Sequence, residues 1–279
     1  MKTRLLTAVV ALPLLFAAII LPWWVPEAVW IFVVLAVLAL AAGLFEFFSL
    51  TKKMELKADA AMGYFGAAIL RLAFVVDAPA KAPELLLLAV ALFLIALLIS
   101  QCFRFQNDFT KMLTGIGVTL LGVLYLAFLG GFLIATRVGF ESVPGLSTKL
   151  LLFFFIVIFG SDSGAYFAGK ALGKHKLVPK ISPGKTWEGL IGGILAAAAM
   201  GALCTWAFFP ELSYQFSIAL AAVMAVVGVL GDLTESAIKR GAGAKDAATI
   251  LPGHGGLLDR LDSLLFNAPI LYYFARFYF

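Results

Sequence analysis

The chain has 279 residues, of which 63% are hydrophobic and only 13% charged, and its mean hydropathy is +1.03; a soluble domain carries roughly 45 to 50% apolar and about 25% charged residues. This composition, with 26 Phe spread along the whole length, excludes a cytosolic globule, a disordered tail, a coiled coil and a soluble domain on one anchor, and the fold class expected is an all-α polytopic membrane protein. The net charge is +5, from 21 Lys and Arg against 16 Asp and Glu, and Cys102, Cys204, His175 and His254 are too few and too scattered for a zinc site.

A helix needs roughly 20 apolar residues to cross a hydrocarbon layer of about 30 Å, and unsatisfied backbone leaves only helices and closed barrels as spanning structures. Helix-length apolar runs lie near residues 5–24, 28–48, 60–77, 84–101, 112–136, 149–169, 189–209, 215–232 and 262–278, so nine transmembrane helices are expected. The first run follows Met1-Lys-Thr-Arg4 and resembles a secretory signal, but further runs follow it at once, which favours an uncleaved span. Arg71 sits midway in the third span and needs protein, water or an acid such as Glu46 beside it; a structural pair is favoured over a substrate contact. The ninth contains Asn267 and Pro269.

Basic residues concentrate on the cytoplasmic side of membrane proteins. With the N-terminus cytoplasmic, all the Lys and Arg outside the spans fall on that side except Lys81, Arg137 and Lys149. The C-terminus then lies on the opposite side, with Cys102 near the inner surface and Cys204 nearer the outer one. The reading is a single integral membrane domain over residues 1–279. Residues 1–140 form an N-terminal helical scaffold, and residues 150–279 a catalytic half with cytoplasmic loops at 170–188 and 233–261, long and loaded with charge, Gly and Pro. No inverted repeat with paired Gly- or Pro-broken helices is visible, which weakens a transporter reading.

Asp162 lies two thirds along the sixth span with Tyr166 one turn later; a carboxylate satisfied by Tyr or Ser inside the bundle is as good a reading as a functional one. Ser182-Pro-Gly-Lys185 reads as a turn that offers a hydroxyl and a cation together, and Glu188 as a cap of the seventh span. Asp232, Glu235, Ser236 and Lys239 follow the eighth span at spacings of 3, 4 and 7, one face of a continuing helix. A solvated helix end with a Glu235–Lys239 pair is the plain alternative. However, Asp232 still belongs to an apolar run, where a carboxylate costs ~2.5 to 3.5 kcal/mol at the helix centre and less towards the end. Asp259 and Asp262 flank Arg260 at the start of the ninth span. Alone they would complement a helix dipole; with Asp232 they offer three carboxylates at cytoplasmic membrane entrances, which suits a hard cation such as Mg²⁺. Between the acids run Lys239-Arg-Gly-Ala-Gly-Ala-Lys-Asp246 and Leu251-Pro-Gly-His-Gly-Gly256, where glycines admit a polyphosphate to backbone N–H groups beside ready cations. The stretch matches neither the P-loop nor the dinucleotide fingerprint.

The whole segment Ser236 to Asp262 resembles, without departure, the signature of bacterial phosphatidate cytidylyltransferases (CDP-diacylglycerol synthases), and Asp162 to Tyr166 and Ser182 to Gly189 are similar to a second landmark of that family. The resemblance covers residues 150 to 279 in sequence and the first 140 in hydropathy alone. It implies a bacterial inner-membrane enzyme, active on the cytoplasmic side, that converts CTP and phosphatidate to CDP-diacylglycerol and pyrophosphate. It also implies Mg²⁺, a monovalent cation such as K⁺, and a homodimer; no nucleic acid is expected as partner. Asp232 and Asp259 match the family's metal positions, with Asp262 as a third participant. Lys239, Arg240 and His254 join them as catalytic candidates. Ser182, Lys185, Ser236, Lys239, Arg240, Lys245, Asp246, Arg260, Asp162 and Tyr166 are the substrate-binding candidates, with Lys239, Arg240 and Lys245 expected on CTP and Lys185 with Ser182 on the lipid phosphate.

The residue types fit this chemistry. A lipid phosphate is already ionised near pH 7 and needs no general base; the barrier is repulsion between anions, which cations and N–H groups relieve. His254 is a candidate to protonate or hydrogen-bond the leaving group, with a phosphate contact as the equal alternative. The competing readings are a CTP-dependent membrane lipid-alcohol kinase, which would attack the γ-phosphate, and a transporter using Asp162 and Arg71. The Asp-Gly-x-x-Ala-Arg pattern of enzymes that consume CDP-diacylglycerol is absent.

Overall fold

The computed structural model describes residues 2–80, 82–105, 108–140, 143–245 and 255–279, with side chains from residue 9 onward. Each apolar run is a helix: α1 Lys2–Ile20, α2 Val29–Lys53, α3 Ala60–Ala80, α4 Glu84–Arg104, α5 Phe109–Gly122 continuing through a π-helical turn, Val123–Phe128, into α6 Leu129–Val138, then α7 Leu146–Leu172, α8 Trp187–Ala207, α9 Tyr214–Gly241 and α10 Leu258–Tyr278. Counting α5–α6 as one rod, the described residues form nine helical rods, and the expected all-α polytopic membrane fold is what they build.

Seven rods are long and apolar enough to cross a membrane: Pro26–Lys53, Ala60–Ala80, Glu84–Arg104, Phe109–Val138, Leu146–Leu172, Trp187–Ala207 and Tyr214–Gly241. The apolar part of the first, Val9–Trp23, is shorter, and α10 is diluted by Asp259, Arg260, Asp262, Asn267 and Arg276. On α4 the exposed Leu85, Leu88, Leu92, Ile95 and Ile99 form an apolar stripe at alternating spacings of three and four, the pattern of a lipid-facing helix side.

Two compact units divide the chain: Met1–Ser147 with Ile238–Leu261, and Thr148–Ala237 with Asp262–Phe279. The first unit is built on α2 to α6. Its core comprises Leu40, Leu44, Phe47, Leu70, Phe93, Leu97 and Leu126, all essentially inaccessible. Close approach is made possible by Gly130 and Gly131, where a Cβ would fall 2.2 Å from Leu40 Cδ2 and 2.3 Å from Phe74 Cδ2. Asp59 pins the start of α3: its carboxylate accepts the Met62 amide at 3.1 Å, Gln101 Nε2 at 2.8 Å and an Arg104 contact at 3.2 Å.

Pairing with Glu46, one of the options open to Arg71, does not occur among the described residues. Glu46 is fully buried and accepts the amides of Leu257 and Leu258 at 2.8 and 2.7 Å, while Arg71 Nε and Nη2, also buried, make no hydrogen bond among the described residues. Backbone donors at a helix N-terminus have no acceptor within their own helix, and Glu46 supplies one to each of two.

The second unit holds α7 from Thr148, a two-stranded hairpin, α8, α9 up to Ala237 and α10 from Asp262. Phe153 and Phe154, Phe209, Ala221, Leu265 and Leu271 form its core. Lys149 on α7 pairs with Glu211 in the α8–α9 connection at 2.5 Å, and the bond from Lys149 holds the Glu211 carboxyl below the ordinary glutamate range. α9 and α10 pack through Gly228 and Gly231, Ser263 Oγ donating to the Gly228 carbonyl at 3.1 Å and Asn267 Nδ2 to the Met224 carbonyl at 3.0 Å. Such side chains satisfy themselves on helix carbonyls where no water competes.

Ser182-Pro-Gly-Lys185 is not the turn expected from its composition. Ser182–Thr186 is strand β2, antiparallel to β1 at Lys176–Val178, with Lys176 opposite Thr186 and Val178 opposite Ser182. The turn falls earlier, closed by the Ile181 amide on the Val178 carbonyl at 3.2 Å. Pro183 is tolerated because a strand with one neighbour has an edge where no donor is needed. Thr186, rather than Glu188, caps α8, accepting the Gly189 amide at 3.1 Å. Glu188 instead accepts the His175 backbone amide at 3.2 Å and lies 2.6 Å from His175 Nδ1, tying the base of the hairpin to the helix.

Candidate active site

In the second unit, Asp232 and Glu235 share a face of α9 one turn apart, and Asp262 starts that unit's part of α10. Their carboxylate oxygens lie within 4.8 Å of one another. The three meet because Gly231 lets the helices touch: a Cβ there would fall 2.5 Å from the Asp262 carbonyl oxygen. Asp232 and Asp262 are half-buried and Glu235 is fully buried. Lys185, carried in by β2, places Nζ 2.6 Å from Asp232 Oδ2 and donates to the Val229 carbonyl at 3.4 Å. Ser236 Oγ donates to Asp232 Oδ1 at 3.3 Å, and the Ser263 amide to Asp262 Oδ1 at 2.5 Å. Asp232 and Asp162 repel the charge of Asp262 and Lys185 attracts it, so Asp162 on α7 belongs to the same electrostatic neighbourhood. Three carboxylates beside one lysine leave an excess of negative charge, in oxygen ligands alone, which is the donor set of a hard divalent cation.

In the first unit, the C-terminal end of α9 and the first turn of α10 form a separate arrangement. Lys239 Nζ lies 2.5 Å from Asp259 Oδ1, both mostly buried, and the Gly256 amide donates to Asp259 Oδ2 at 2.8 Å. α9 ends in a left-handed cap at Gly243, φ +60°, with the Ala244 amide on the Lys239 carbonyl at 2.9 Å and the Gly243 amide on the Arg240 carbonyl at 3.0 Å. This paired closure requires glycine at the left-handed position. Arg240 Nη1 donates to the Ala244 carbonyl at 3.2 Å. Gly255, φ +79°, turns the chain into α10.

The remaining candidates scatter around these groups. Tyr166 is exposed on α7 with Lys170 Nζ 5.9 Å from its ring centroid. Ser182 is half-buried on β2, Lys245 and Arg260 are exposed, and Asp246 and His254 lie outside the described residues. Glu235 and Glu46 were not among the expected site residues. Glu235 carried a signal, three residues from Asp232 on the same helical face, but the same spacing pattern also suits a surface pair with Lys239. Nothing in the sequence near Glu46 points to residues more than two hundred positions away.

The cytidylyltransferase family model matches residues 2–278. The phosphatidate cytidylyltransferase of Bacillus subtilis (strain 168) is 33% identical over 275 residues, which is 98% of this chain and 97% of that protein. That of Haemophilus influenzae is 46% identical over 134 residues, 47% of this chain and 46% of that protein. An uncharacterized protein of Escherichia coli (strain K12), YnbB, is 43% identical over 132 residues, 46% of this chain and 43% of its own length. With a family match that runs essentially end to end and embraces both polar arrangements, the chain belongs to the cytidylyltransferase family and is a membrane-embedded nucleotidyltransferase.

Proposed function

We propose that the protein transfers the cytidylyl group of CTP to phosphatidate, giving CDP-diacylglycerol and pyrophosphate, on the cytoplasmic side of the bacterial inner membrane. The observation that carries the reading is the coincidence of an end-to-end family match with a carboxylate cluster where the apolar stretch of α9 ends. An oxygen of the lipid phosphate attacks the α-phosphorus of CTP; the bond to the bridging oxygen of the β-phosphate breaks, and pyrophosphate leaves with that electron pair. No proton has to be removed from the nucleophile, so what the chain must supply is charge neutralisation and alignment.

Asp232, Glu235 and Asp262 fit Mg²⁺ by their oxygen donors and mutual proximity, and Asp259 is assigned to the same chemistry from its place in the family signature. Bound there, Mg²⁺ would polarise phosphate oxygens and offset the charge that develops on the leaving group. Lys185, held between Asp232 and the Val229 carbonyl, is positioned to exchange its carboxylate partner for a phosphate oxygen. Ser182 on the same strand offers a hydroxyl to that phosphate. Lys239, Arg240 and Lys245, at and beyond the end of α9, are assigned to the CTP phosphates. A monovalent cation and a homodimer belong to the same reading, testable by K⁺ titration and by the mass of the detergent-solubilised particle. Incubation of purified protein with CTP, Mg²⁺, phosphatidate and diacylglycerol, read by phosphorus NMR, tests the function: a CDP-lipid and pyrophosphate in equal amounts are expected, and CDP with newly phosphorylated diacylglycerol would replace the reading by a kinase.

A further inference from the structure

Glu46, one of the partners open to Arg71 on sequence, serves the backbone at the start of α10 instead. Within the first unit, three consecutive amides at the start of α10 are each held by a carboxylate oxygen. Gly256 donates to Asp259 Oδ2 at 2.8 Å, Leu257 to Glu46 Oε1 at 2.8 Å and Leu258 to Glu46 Oε2 at 2.7 Å. Glu46 lies on α2, is fully buried, and stands 211 and 212 residues from the amides it accepts. One turn earlier on α2, Gly43 leaves room for α10 itself: a Cβ there would fall 3.1 Å from Leu261 Cδ1. Thus α2 grips the first turn of α10 at two levels, by packing and by a bidentate carboxylate.

The consequence concerns Asp259. The first amides of a helix have no intrahelical acceptor and demand one, and the nearest carboxylate on α10 itself is Asp259, which already reaches back to the Gly256 amide. Its two oxygens are already committed, Oδ2 to Gly256 and Oδ1 to Lys239 at 2.5 Å. Without Glu46, the Leu257 and Leu258 amides, one half-buried and one buried, compete for it. We infer that Glu46 is a positioning residue for the transfer reaction: by taking the Leu257 and Leu258 amides it relieves Asp259 of capping α10 and keeps that carboxylate oriented towards Lys239. This rests on the proposed reading in one respect, that Asp259 serves the cytidylyl transfer; the capping geometry stands without it.

Glu46→Gln tests the inference most sharply. The amide side chain has one acceptor and would present an N–H₂ to a second N–H donor, so one of the two bonds is lost and replaced by repulsion. In metal-free protein, hydrogen exchange at Leu257 and Leu258 should rise by about tenfold or more as the turn opens locally. Turnover should fall by about tenfold or more, with the KM for CTP and for phosphatidate changed by less than about twofold, because the interaction lost orients a reacting group rather than binding a substrate. Glu46→Asp, which keeps the charge on a shorter side chain, should fall between wild type and Glu46→Gln in both exchange and kcat. Unchanged exchange in Glu46→Gln, kcat within threefold of wild type, or an activity loss that merely follows the folded fraction with Glu46→Asp no better, would overturn the inference. Should Glu46→Gln not accumulate, wild-type exchange decides: Leu257 and Leu258 amides that exchange as freely as an exposed loop would exclude a Glu46 cap. Wild-type protein that makes no CDP-lipid while these amides remain protected would instead overturn the proposed function and leave the cap intact.

Discussion

Gly231→Ala adds one methyl group next to the carboxylate cluster and removes no functional atom, which makes its effect a direct measure of how tightly α9 and α10 must approach. The new Cβ would lie 2.5 Å from the Asp262 carbonyl oxygen and 3.3 Å from Phe266 Cγ. The Asp262 carbonyl, the nearer of the two, belongs to the helix backbone and cannot rotate away. Taking ~3.3 Å as a tolerable carbon–oxygen approach, the two helices must separate by about 0.8 Å at this level. Overpacking of this kind costs about 1–3 kcal/mol, and roughly 1 kcal/mol returns through the better helix propensity of alanine, so the net loss of stability is about 0–2 kcal/mol and the protein folds. Function is affected more, because the displacement falls between Asp232 and Asp262 themselves and a misplacement of about 1 Å can cost about 10²-fold in rate. Steady-state turnover with CTP and phosphatidate in detergent, alongside a thermal melt, separates the two effects: kcat reduced about 10²-fold with a small change in melting temperature is expected. A kcat within threefold of wild type would refute the requirement for close apposition. Gly228→Ala is the comparison, since its Cβ would fall 3.1 Å from Asn267 Nδ2, a side-chain terminus, with Ser263 Cβ and Oγ at ordinary contact distances of 3.6 and 3.8 Å, and it should lose no more than a few-fold.

Asp232→Asn, Asp259→Asn and Asp262→Asn should each abolish turnover with helix content by circular dichroism unchanged, Asp262→Asn less completely; near-normal activity with unaltered Mg²⁺ dependence in either of the first two would remove that residue from the metal assignment. Glu235→Gln should raise the Mg²⁺ concentration needed for half-maximal activity by about tenfold, equivalent to ~1.4 kcal/mol of lost affinity, and an unchanged titration would show that Glu235 holds no metal. Lys185→Ala should raise KM mainly for phosphatidate and Lys245→Ala mainly for CTP; equal effects on both substrates would indicate one shared phosphate cluster. Because Glu211 has its carboxyl pKa depressed by Lys149, the pair's contribution to stability is fully present above the ordinary glutamate pKa of about 4.3 and is lost as pH falls through the lower folded value. Lys149→Gln should therefore reduce the melting temperature at neutral pH and flatten its decline below about pH 4; a parallel, undiminished decline would mean that the pair is not formed.

The helices were legible because membrane insertion imposes the longest and least ambiguous signal a sequence can carry, and all nine apolar runs became rods. Their ends were less legible. α9 runs nine residues beyond the apolar stretch that ends at Asp232, since nothing stops a helix at the edge of the hydrocarbon; it stops where Gly243 adopts a left-handed conformation. Local composition misled at Ser182-Pro-Gly-Lys185, where turn-forming residues lie in a strand fixed by pairing with Lys176–Val178. The acids on α9 and α10 stood out because a carboxylate in an apolar run is costly and therefore conspicuous. Which acids gather was not legible: Glu235 joins Asp232 and Asp262 through helix packing, while Asp259, three residues from Asp262, is held by Lys239 and Gly256. The partner of Glu46 depended on tertiary contact over more than two hundred residues, which no spacing rule reaches.

Labelling CTP in turn at its α- and γ-phosphates, and following each label into the lipid phase with purified protein, Mg²⁺ and phosphatidate, separates cytidylyl transfer from phosphoryl transfer. The α-label is expected to enter the lipid fraction as CDP-diacylglycerol while the γ-label leaves in pyrophosphate. Entry of the γ-label into lipid, or failure of the α-label to enter it, would contradict cytidylyl transfer.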